Sequence, residues 1–314
     1  MRTLEIVHRT RYSYSEPVTL GDYRLMFRPR DSHDLRLLQT GLSIEPAAQV
    51  RWIHDPFGNS IGIASFDGPT QALEFVSTIQ VEHYGVPPDQ PAIEEFARKL
   101  PFSYLAEEAP DLARYVERHY PDPDAVVSGW TRQFLDIEGG TFATLSRMCK
   151  GIQESLDYNM RFEPGTQPPA TTLEQGSGTC RDYALLMMEG VRALGLAARF
   201  VTGYLYDPAL DGKGEGQTGS GFAHAWMEAY LPGAGWIEFD PTNGIIGSER
   251  LIRVAVGRDP EQAMPIKGTF TGASNVAIDT VVEVQVRDMT PPAAAPSPTL
   301  PASSVPPAAK LAVA

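Results

Sequence analysis

The first quarter of the chain alternates polar and apolar residues in short runs, a period of two that favours β-strands over helices. Six such runs cover residues 4–15, 23–28, 37–44, 50–54, 60–66 and 73–83. Turn-forming residues separate them, and Asp55-Pro-Phe-Gly-Asn59 contains the Pro, Gly and Asn of a tight turn. The pattern predicts an N-terminal all-β sandwich over residues 1–85, and the prolines within 86–91 predict an extended linker after it.

The apolar period changes to that of a helix after the linker. Residues 92–158 contain three apolar stripes at helical spacing, which predict three amphipathic helices. Strand patterns return at 197–205, 222–231, 236–240, 251–256 and 280–286. We therefore expect an α+β fold, in which a second unit over 92–287 begins with the helical segment 92–158. The Pro- and Ala-rich tail at 288–314 is expected to be disordered, because it cannot bury enough apolar surface to offset its conformational entropy.

Charge and composition exclude several classes of function. The net charge of −13, with no Lys/Arg cluster, argues against a nucleic-acid partner. The first residues alternate in polarity, and no stretch has the roughly 20 apolar residues of a membrane span, so we expect a cytoplasmic protein without a membrane partner. Two cysteines cannot form a disulfide framework. Because zinc-ligand spacing and a phosphate-binding glycine loop are both missing, we expect no metal and no organic cofactor. The sequence does not indicate the oligomeric state.

Cys180 occupies the position in the sequence where a cysteine is most easily activated. It follows a glycine-rich turn and directly precedes the apolar run 183–195, which indicates a buried helix. A thiol in the first helical turn lies near unpaired backbone N–H groups and the positive end of the helix dipole, and both favour the thiolate. The other cysteine, Cys149, lies on an apolar helical stripe and is interpreted as a core residue. Asp182, in the first turn, is expected to complement the dipole and to form a structural salt bridge.

A cysteine nucleophile needs a base, and the base needs a partner that orients it. Of the six histidines, only His224 lies in the sheet expected to face Cys180, and Asp240 ends the next strand. The two side chains share a face of the sheet if paired residue numbers add to an even number, as when Tyr230 pairs with Trp236. A tighter, four-residue hairpin connection would place the two side chains on opposite faces of the sheet, unless a bulge restored the register. We expect the even register or a bulge.

These residues, in this order, resemble the transglutaminase-like superfamily, and specifically bacterial transglutaminase-like cysteine proteases with an N-terminal β region. The matching features are Gly178-x-Cys180-x-Asp182-x-Ala184, Gly203-Tyr204, His224-Ala-Trp226, Gly235-Trp236 and Asp240-Pro-Thr-Asn243, preceded by His8-Arg-Thr-Arg-Tyr-Ser-Tyr14, Phe27-Arg-Pro-Arg30 and Asp55-x-Phe-Gly-Asn59. The resemblance implies a papain-like core in which Cys180 attacks a carbonyl, His224 is the general base and then acid, and Asp240 orients the imidazole. The backbone N–H of Cys180 is expected to donate to the oxyanion, together with an unnamed second donor from the loop before it.

The resemblance implies a cysteine-dependent hydrolase of peptide or amide bonds in a peptide or protein substrate. Two alternatives remain open: a protein-glutamine transamidase, which would use the same three residues, and an inert scaffold that kept the fold without the activity. Trp226, Trp236 and Tyr204 are candidates for the substrate site, although packing beside it is the commoner role of such tryptophans. Glu228 shares the face of His224, and a solvated sheet edge is its expected environment. The glycine-rich loop 207–221 is a candidate mobile lid.

Overall fold

The computed structural model describes residues 1–85, 91–161, 165–208 and 221–290. All six predicted N-terminal strands are present. They are β1 (Arg2–Leu20), β2 (Tyr23–Arg28), β3 (Leu35–Glu45), β4 (Ala48–His54), β5 (Ser60–Phe66) and β6 (Pro69–His83). The predicted turn between β4 and β5 is closed by the Asp55 carboxylate, which accepts the backbone N–H groups of Phe57 at 3.0 Å and Asn59 at 2.8 Å.

The remaining elements follow in chain order. The helices are α1 (Ala109–Val116), α2 (Val126–Arg132), α3 (Gly140–Ser155), α4 (Pro169–Gln175) and α5 (Cys180–Ala193). The strands are β7 (Asp157–Tyr158), β8 (Ser177–Gly178), β9 (Ala198–Leu205), β10 (His224–Leu231), β11 (Gly235–Asp240), β12 (Ile245–Ile246), β13 (Leu251–Gly257), β14 (Ile266–Lys267), β15 (Phe270–Thr271) and β16 (Ile278–Asp288). Helices α1 to α3 are the three predicted amphipathic helices, and α5 begins at Cys180 as expected. None of the helices in the described residues is long and apolar enough to span a membrane.

The N-terminal strands form a sandwich that the end of the chain completes. One sheet has the order β15-β1-β6-β3, with β16 also paired to β1, and the other has the order β14-β2-β5-β4. The sequence assigned β16 to the catalytic unit 92–287, but this strand lies antiparallel to β1 from Leu4 opposite Asp288 to Tyr14 opposite Ile278. The assignment was wrong because an alternating pattern predicts a strand without identifying its partner. Val284 of β16 packs with Leu4 and Ile6 of β1.

Outside the sandwich lies a five-stranded antiparallel sheet with the order β12-β11-β10-β9-β13. One face packs against α5 through apolar side chains that alternate along the strands. They include Phe200, Ala225, Met227, Ala229 and Phe239. The other face meets the sandwich, where Asn59 exchanges two hydrogen bonds with the backbone of Val256, at 2.6 and 2.9 Å. The sandwich therefore supports the catalytic sheet on the face away from the cysteine helix.

The expectation that Glu228 lies at a solvated edge of the sheet is wrong. The residue is fully buried, and its carboxylate forms ion pairs with Arg199 and, at 3.0 Å, with Arg253. It lies on the sheet face that the sandwich covers, so it is not on a solvated edge. Most of the predicted linker 86–91 and of the candidate lid 207–221, and nearly all of the tail 288–314, lie outside the described residues.

Candidate active site

Cys180, the predicted nucleophile, is held in place by the cap of α5. The backbone N–H of Thr179, the N-cap residue, donates to the Asp182 carboxylate at 2.9 Å, and the Thr179 hydroxyl donates to the same oxygen at 2.8 Å. Thr179 therefore directs the chain into the helix so that Cys180 is its first residue. The spacing Thr-x-x-Asp is a capping-box signal that the sequence contains. The exact orientation of Cys180 thus follows from a local motif.

Asp182 also holds the loop that leads to Cys180. Its second carboxylate oxygen accepts a hydrogen bond from the Arg161 guanidinium at 2.9 Å and from the backbone N–H of Gln167 at 2.7 Å. The carboxylate is fully buried, which makes these bonds strong. The salt bridge expected for Asp182 is therefore confirmed, and its carboxylate connects Arg161 and Gln167 to the first turn of α5.

The hairpin of β10 and β11 brings the base and its orienting partner together. Tyr230 pairs with Trp236 and Met227 with Phe239, which is the even register that the sequence favoured. Nε2–H of His224 donates to Oδ2 of Asp240 at 2.8 Å, and both side chains are fully buried. Because Nε2 is bonded to Asp240, Nδ1 is the ring nitrogen left for the interaction with the Cys180 thiol.

The Cys180 thiol and the His224 imidazole shift each other's pKa. Burial raises the pKa of Cys180, but hydrogen bonding to His224 and its positive charge outweigh burial, so the pKa of the thiol is lowered. Burial lowers the pKa of His224, but the Asp240 carboxylate and the Cys180 thiolate outweigh it and raise the pKa to about 10. Both shifts favour a thiolate–imidazolium pair near neutral pH. This is the charge state of an activated cysteine nucleophile.

Asp240 is kept ionised by its hydrogen bonds. Burial raises its pKa, but the charge and hydrogen bond of His224, with donors from Asn243 and Thr242, lower the pKa below its ordinary value. The backbone N–H of Thr242 donates at 3.0 Å and the Asn243 side-chain amide at 2.9 Å. The sequence motif Asp-Pro-Thr-Asn contained both donors, but their hydrogen bonds depend on the turn after β11.

Cys180 and His224 lie in a cleft of about 670 Å³. The opposite wall comes from two distant segments, the end of the α1 region and the turn after β13. Lining residues include His119, Tyr120, Arg181, Asp259, Glu261 and Met264. Nδ1 of His119 and the Asp259 carboxylate are hydrogen-bonded across these two segments. Sequence reasoning missed this wall, because the local pattern at residues 258–265 gives no signal that it returns to Cys180.

The three residues proposed as possible substrate contacts do not line this cleft. Trp226 is fully buried beside Val201 and stacks on His224, with ring centroids 6.1 Å apart. Tyr204 is buried at the sandwich, where its hydroxyl hydrogen-bonds Nδ1 of His8 at 2.9 Å. Trp236 packs with Arg199, whose guanidinium lies 4.2 Å from the ring centroid. The strand register places Trp226 and Trp236 on the same face of the sheet as Glu228.

Metal binding would require a cluster of suitable ligands. Over residues 1–85, 91–161, 165–208 and 221–290, no group of three or more His, Cys, Asp and Glu side chains has an arrangement that could hold a metal ion.

Known protein families match two parts of the chain, one in the sandwich and one that contains the candidate site. Residues 4–82 match the family described as the bacterial transglutaminase-like N-terminal region, and residues 128–241 match the transglutaminase-like superfamily. The uncharacterized protein Rv2569c of Mycobacterium tuberculosis is 30% identical over 298 residues, covering 89% of this chain and 91% of that protein. The chain belongs to the transglutaminase-like superfamily. The second match includes Cys180, His224 and Asp240.

Two further proteins are similar to this transglutaminase-like chain. A crystal structure of a Cytophaga hutchinsonii protein, provisionally designated a cysteine protease, superposes with a TM-score of 0.69 at 20% identity, covering 92% of this chain and 93% of that one. The fold is therefore shared along nearly the whole length. A protein-glutamine gamma-glutamyltransferase of Pseudomonas aeruginosa is 38% identical over 85 residues, which are 24% of this chain and 13% of that protein.

Proposed function

We propose that this protein is a cysteine-dependent hydrolase of peptide or amide bonds, acting through an acyl-enzyme on Cys180. The observation that carries the proposal is the position of His224, which is hydrogen-bonded to Asp240 through Nε2 and interacts with the Cys180 thiol in an accessible cleft. Membership of the transglutaminase-like superfamily supports a cysteine-dependent enzyme in general. The substrate in this proposal is a peptide or protein that enters the cleft.

The proposed reaction uses the charge state of the site. The Cys180 thiolate attacks the carbonyl carbon, and the π electrons of the carbonyl move to its oxygen, which the Cys180 backbone N–H stabilises. The tetrahedral intermediate collapses and expels the amine, which takes the proton from the His224 imidazolium. Water then attacks the thioester while His224 accepts its proton. Release of the carboxylic acid restores the thiolate, and the proton on His224 restores the imidazolium.

Transamidation is the second candidate, in which an amine replaces water as the acyl acceptor. The partial similarity to a protein-glutamine gamma-glutamyltransferase favours it, because that match extends over 85 residues at 38% identity. The first half-reaction would be the same, with the same three side chains. The two candidates differ only in the group that attacks the thioester.

One assay separates these functions. Wild-type protein and Cys180→Ala are incubated with a library of peptide amides, and released ammonia and cleaved peptide are measured with and without a fluorescent primary amine. Hydrolysis predicts product release without added amine, whereas transamidation predicts ammonia release that depends on the amine together with its incorporation. Cys149→Ala is the matched control, because Cys149 is buried in the core and should not affect turnover. Equal blank results for wild type and Cys180→Ala would favour the inert scaffold.

A further inference from the structure

A short strand pair fixes Tyr158 beside the start of α5. The strand β7 runs parallel to β8, with Tyr158 opposite Gly178, two residues before Cys180. The backbone N–H of Asp157 donates to Gly176 at 2.9 Å, and the N–H of Asn159 donates to Gly178 at 2.9 Å. These bonds on both sides of Tyr158 hold its backbone to the strand that leads into the helix.

The side chain of Tyr158 points at the first turn of α5. Residues opposite each other in a strand pair project to the same side, and a Cβ on Gly178 would lie 2.9 Å from Asp182 and 3.2 Å from Tyr183. Consistent with that direction, the rings of Tyr158 and Tyr183 meet edge to face with centroids 6.2 Å apart.

The phenol hydroxyl lies beside Cys180 and interacts with both its thiol and its backbone N–H. Burial, with the charge and hydrogen bonding of the thiol, raises the pKa of Tyr158 far above its ordinary value. The hydroxyl therefore keeps its proton near neutral pH and can act as a hydrogen-bond donor.

We propose that Tyr158 is the second oxyanion donor, acting with the backbone N–H of Cys180 on the carbonyl oxygen of the substrate. The inference rests on the acyl-transfer function proposed above. When the Cys180 thiolate adds to the carbonyl carbon, the carbonyl π electrons become a lone pair on oxygen, and the Tyr158 O–H donates to that oxygen without giving up its proton. When the intermediate collapses, the lone pair re-forms the C=O bond and the leaving group departs.

The test compares two electrophiles that differ in whether an oxyanion forms. p-Nitrophenyl acetate acylates a thiolate through a tetrahedral oxyanion and releases p-nitrophenolate, whereas iodoacetamide alkylates it by direct displacement of iodide. Tyr158→Phe removes only the hydroxyl. We expect it to slow the p-nitrophenolate burst by about 10²–10³-fold and to change the rate of Cys180 alkylation by less than about threefold.

Tyr183→Phe is the matched control, because it removes a hydroxyl from the ring that packs against Tyr158. It should leave both rates near those of wild type. The burst rate constant does not depend on the fraction of folded enzyme, so partial unfolding of a variant would lower the burst amplitude instead. A burst that Tyr158→Phe retains, or that Tyr183→Phe loses equally, would overturn the inference alone. A wild-type protein that alkylates at Cys180 but gives no burst would overturn the proposed acyl transfer and the inference with it.

Discussion

Glu228 of β10 and Glu238 of β11 are direct partners in the antiparallel pairing, and both carboxyl groups are buried. The guanidinium of Arg253 lies between them, 3.0 Å from Glu228 and 2.7 Å from Glu238. Burial and the charge of Glu228 raise the pKa of Glu238 to about 8, although Arg253 opposes this shift. The Glu238 carboxyl group therefore keeps its proton near neutral pH.

We predict that Glu238 makes the protein less stable as the pH rises. Its folded pKa of about 8 lies above the ordinary 4.5, so the folded state binds more protons than the unfolded state between these values. The free energy of unfolding should fall by about 2–4 kcal/mol as the pH rises through this range. Urea unfolding at pH 5, 6, 7 and 8 measures the slope. Glu238→Gln should flatten it, and an unchanged slope would contradict the prediction.

Glu228→Gln gives a contrasting result at the same interface. Glu228 pairs with Arg199 and Arg253. Its removal takes the buried carboxylate from Arg199, whereas Arg253 keeps Glu238 at 2.7 Å. The variant should lose about 3–5 kcal/mol of stability at pH 5, because breaking a buried pair leaves an uncompensated charge, and it should lose less at pH 8, because the charge of Glu228 no longer raises the pKa of Glu238. The same urea series measures this loss. A change confined to the alkaline samples would mean that Glu228 acts through protonation instead.

His8 is predicted to make the protein less stable in acid. Burial lowers its pKa from 6.5 to about 4, so the unfolded state binds more protons between these values. Stability should therefore fall by about 3 kcal/mol as the pH falls from 6.5 to 4. Thermal unfolding at pH 4.5, 5.5 and 6.5 follows this loss, and His8→Asn should reduce it. Tyr204→Phe removes the 2.9 Å hydrogen bond but should keep the pH slope, because burial causes it.

The two cysteines should react with iodoacetamide at very different rates. The pKa of Cys180 is lowered by His224, whereas burial and the charge of Asp240 raise the pKa of Cys149 well above its ordinary value. Cys180 should therefore be alkylated at least about tenfold faster than Cys149 at pH 6. Mass spectrometry of the digested protein measures both rates. Equal labelling of the folded protein would argue against an activated Cys180.

Asp240→Asn should lower the turnover of the best substrate by about 10²–10⁴-fold, because it removes the charge that orients and stabilises the His224 imidazolium. The pKa of His224 should fall with it. In wild type, His224 loses its proton near pH 10, so the alkaline limb of the rate profile should lie there and move to lower pH in the variant. Asn243→Ala removes one hydrogen bond to the same carboxylate and should cost roughly tenfold or less. An alkaline limb at the same pH in wild type and Asp240→Asn would contradict this account.

Local patterns predicted the eleven longer strands, four of the five helices in the described residues and the hairpin register. They did not predict α4 or the two-residue strands β7, β8, β12, β14 and β15. The alternation around Tyr230 and Trp236 was sufficient because side chains repeat every two residues along a strand. The same alternation assigned Trp226 and Glu228 to the face of His224, but it contains no information on what covers that face. Both residues are buried there, and Phe57 of the sandwich packs against the cluster that contains Trp226. The partner of β16 depends on contacts between distant parts of the chain, and the cytoplasmic location stays a prediction.

The pairing of β16 with β1 places the two ends of the described chain in one ladder, with Leu4 opposite Asp288. During synthesis, β1 can meet β6 early, but its other edge stays open until β16 has been made. An edge of this length is a site for unwanted strand pairing between nascent chains. The nearly 300-residue separation also makes this closure a slow, late event of folding. Premature termination upstream of β16 would therefore leave an aggregation-prone product, even with every residue of the proposed site already translated.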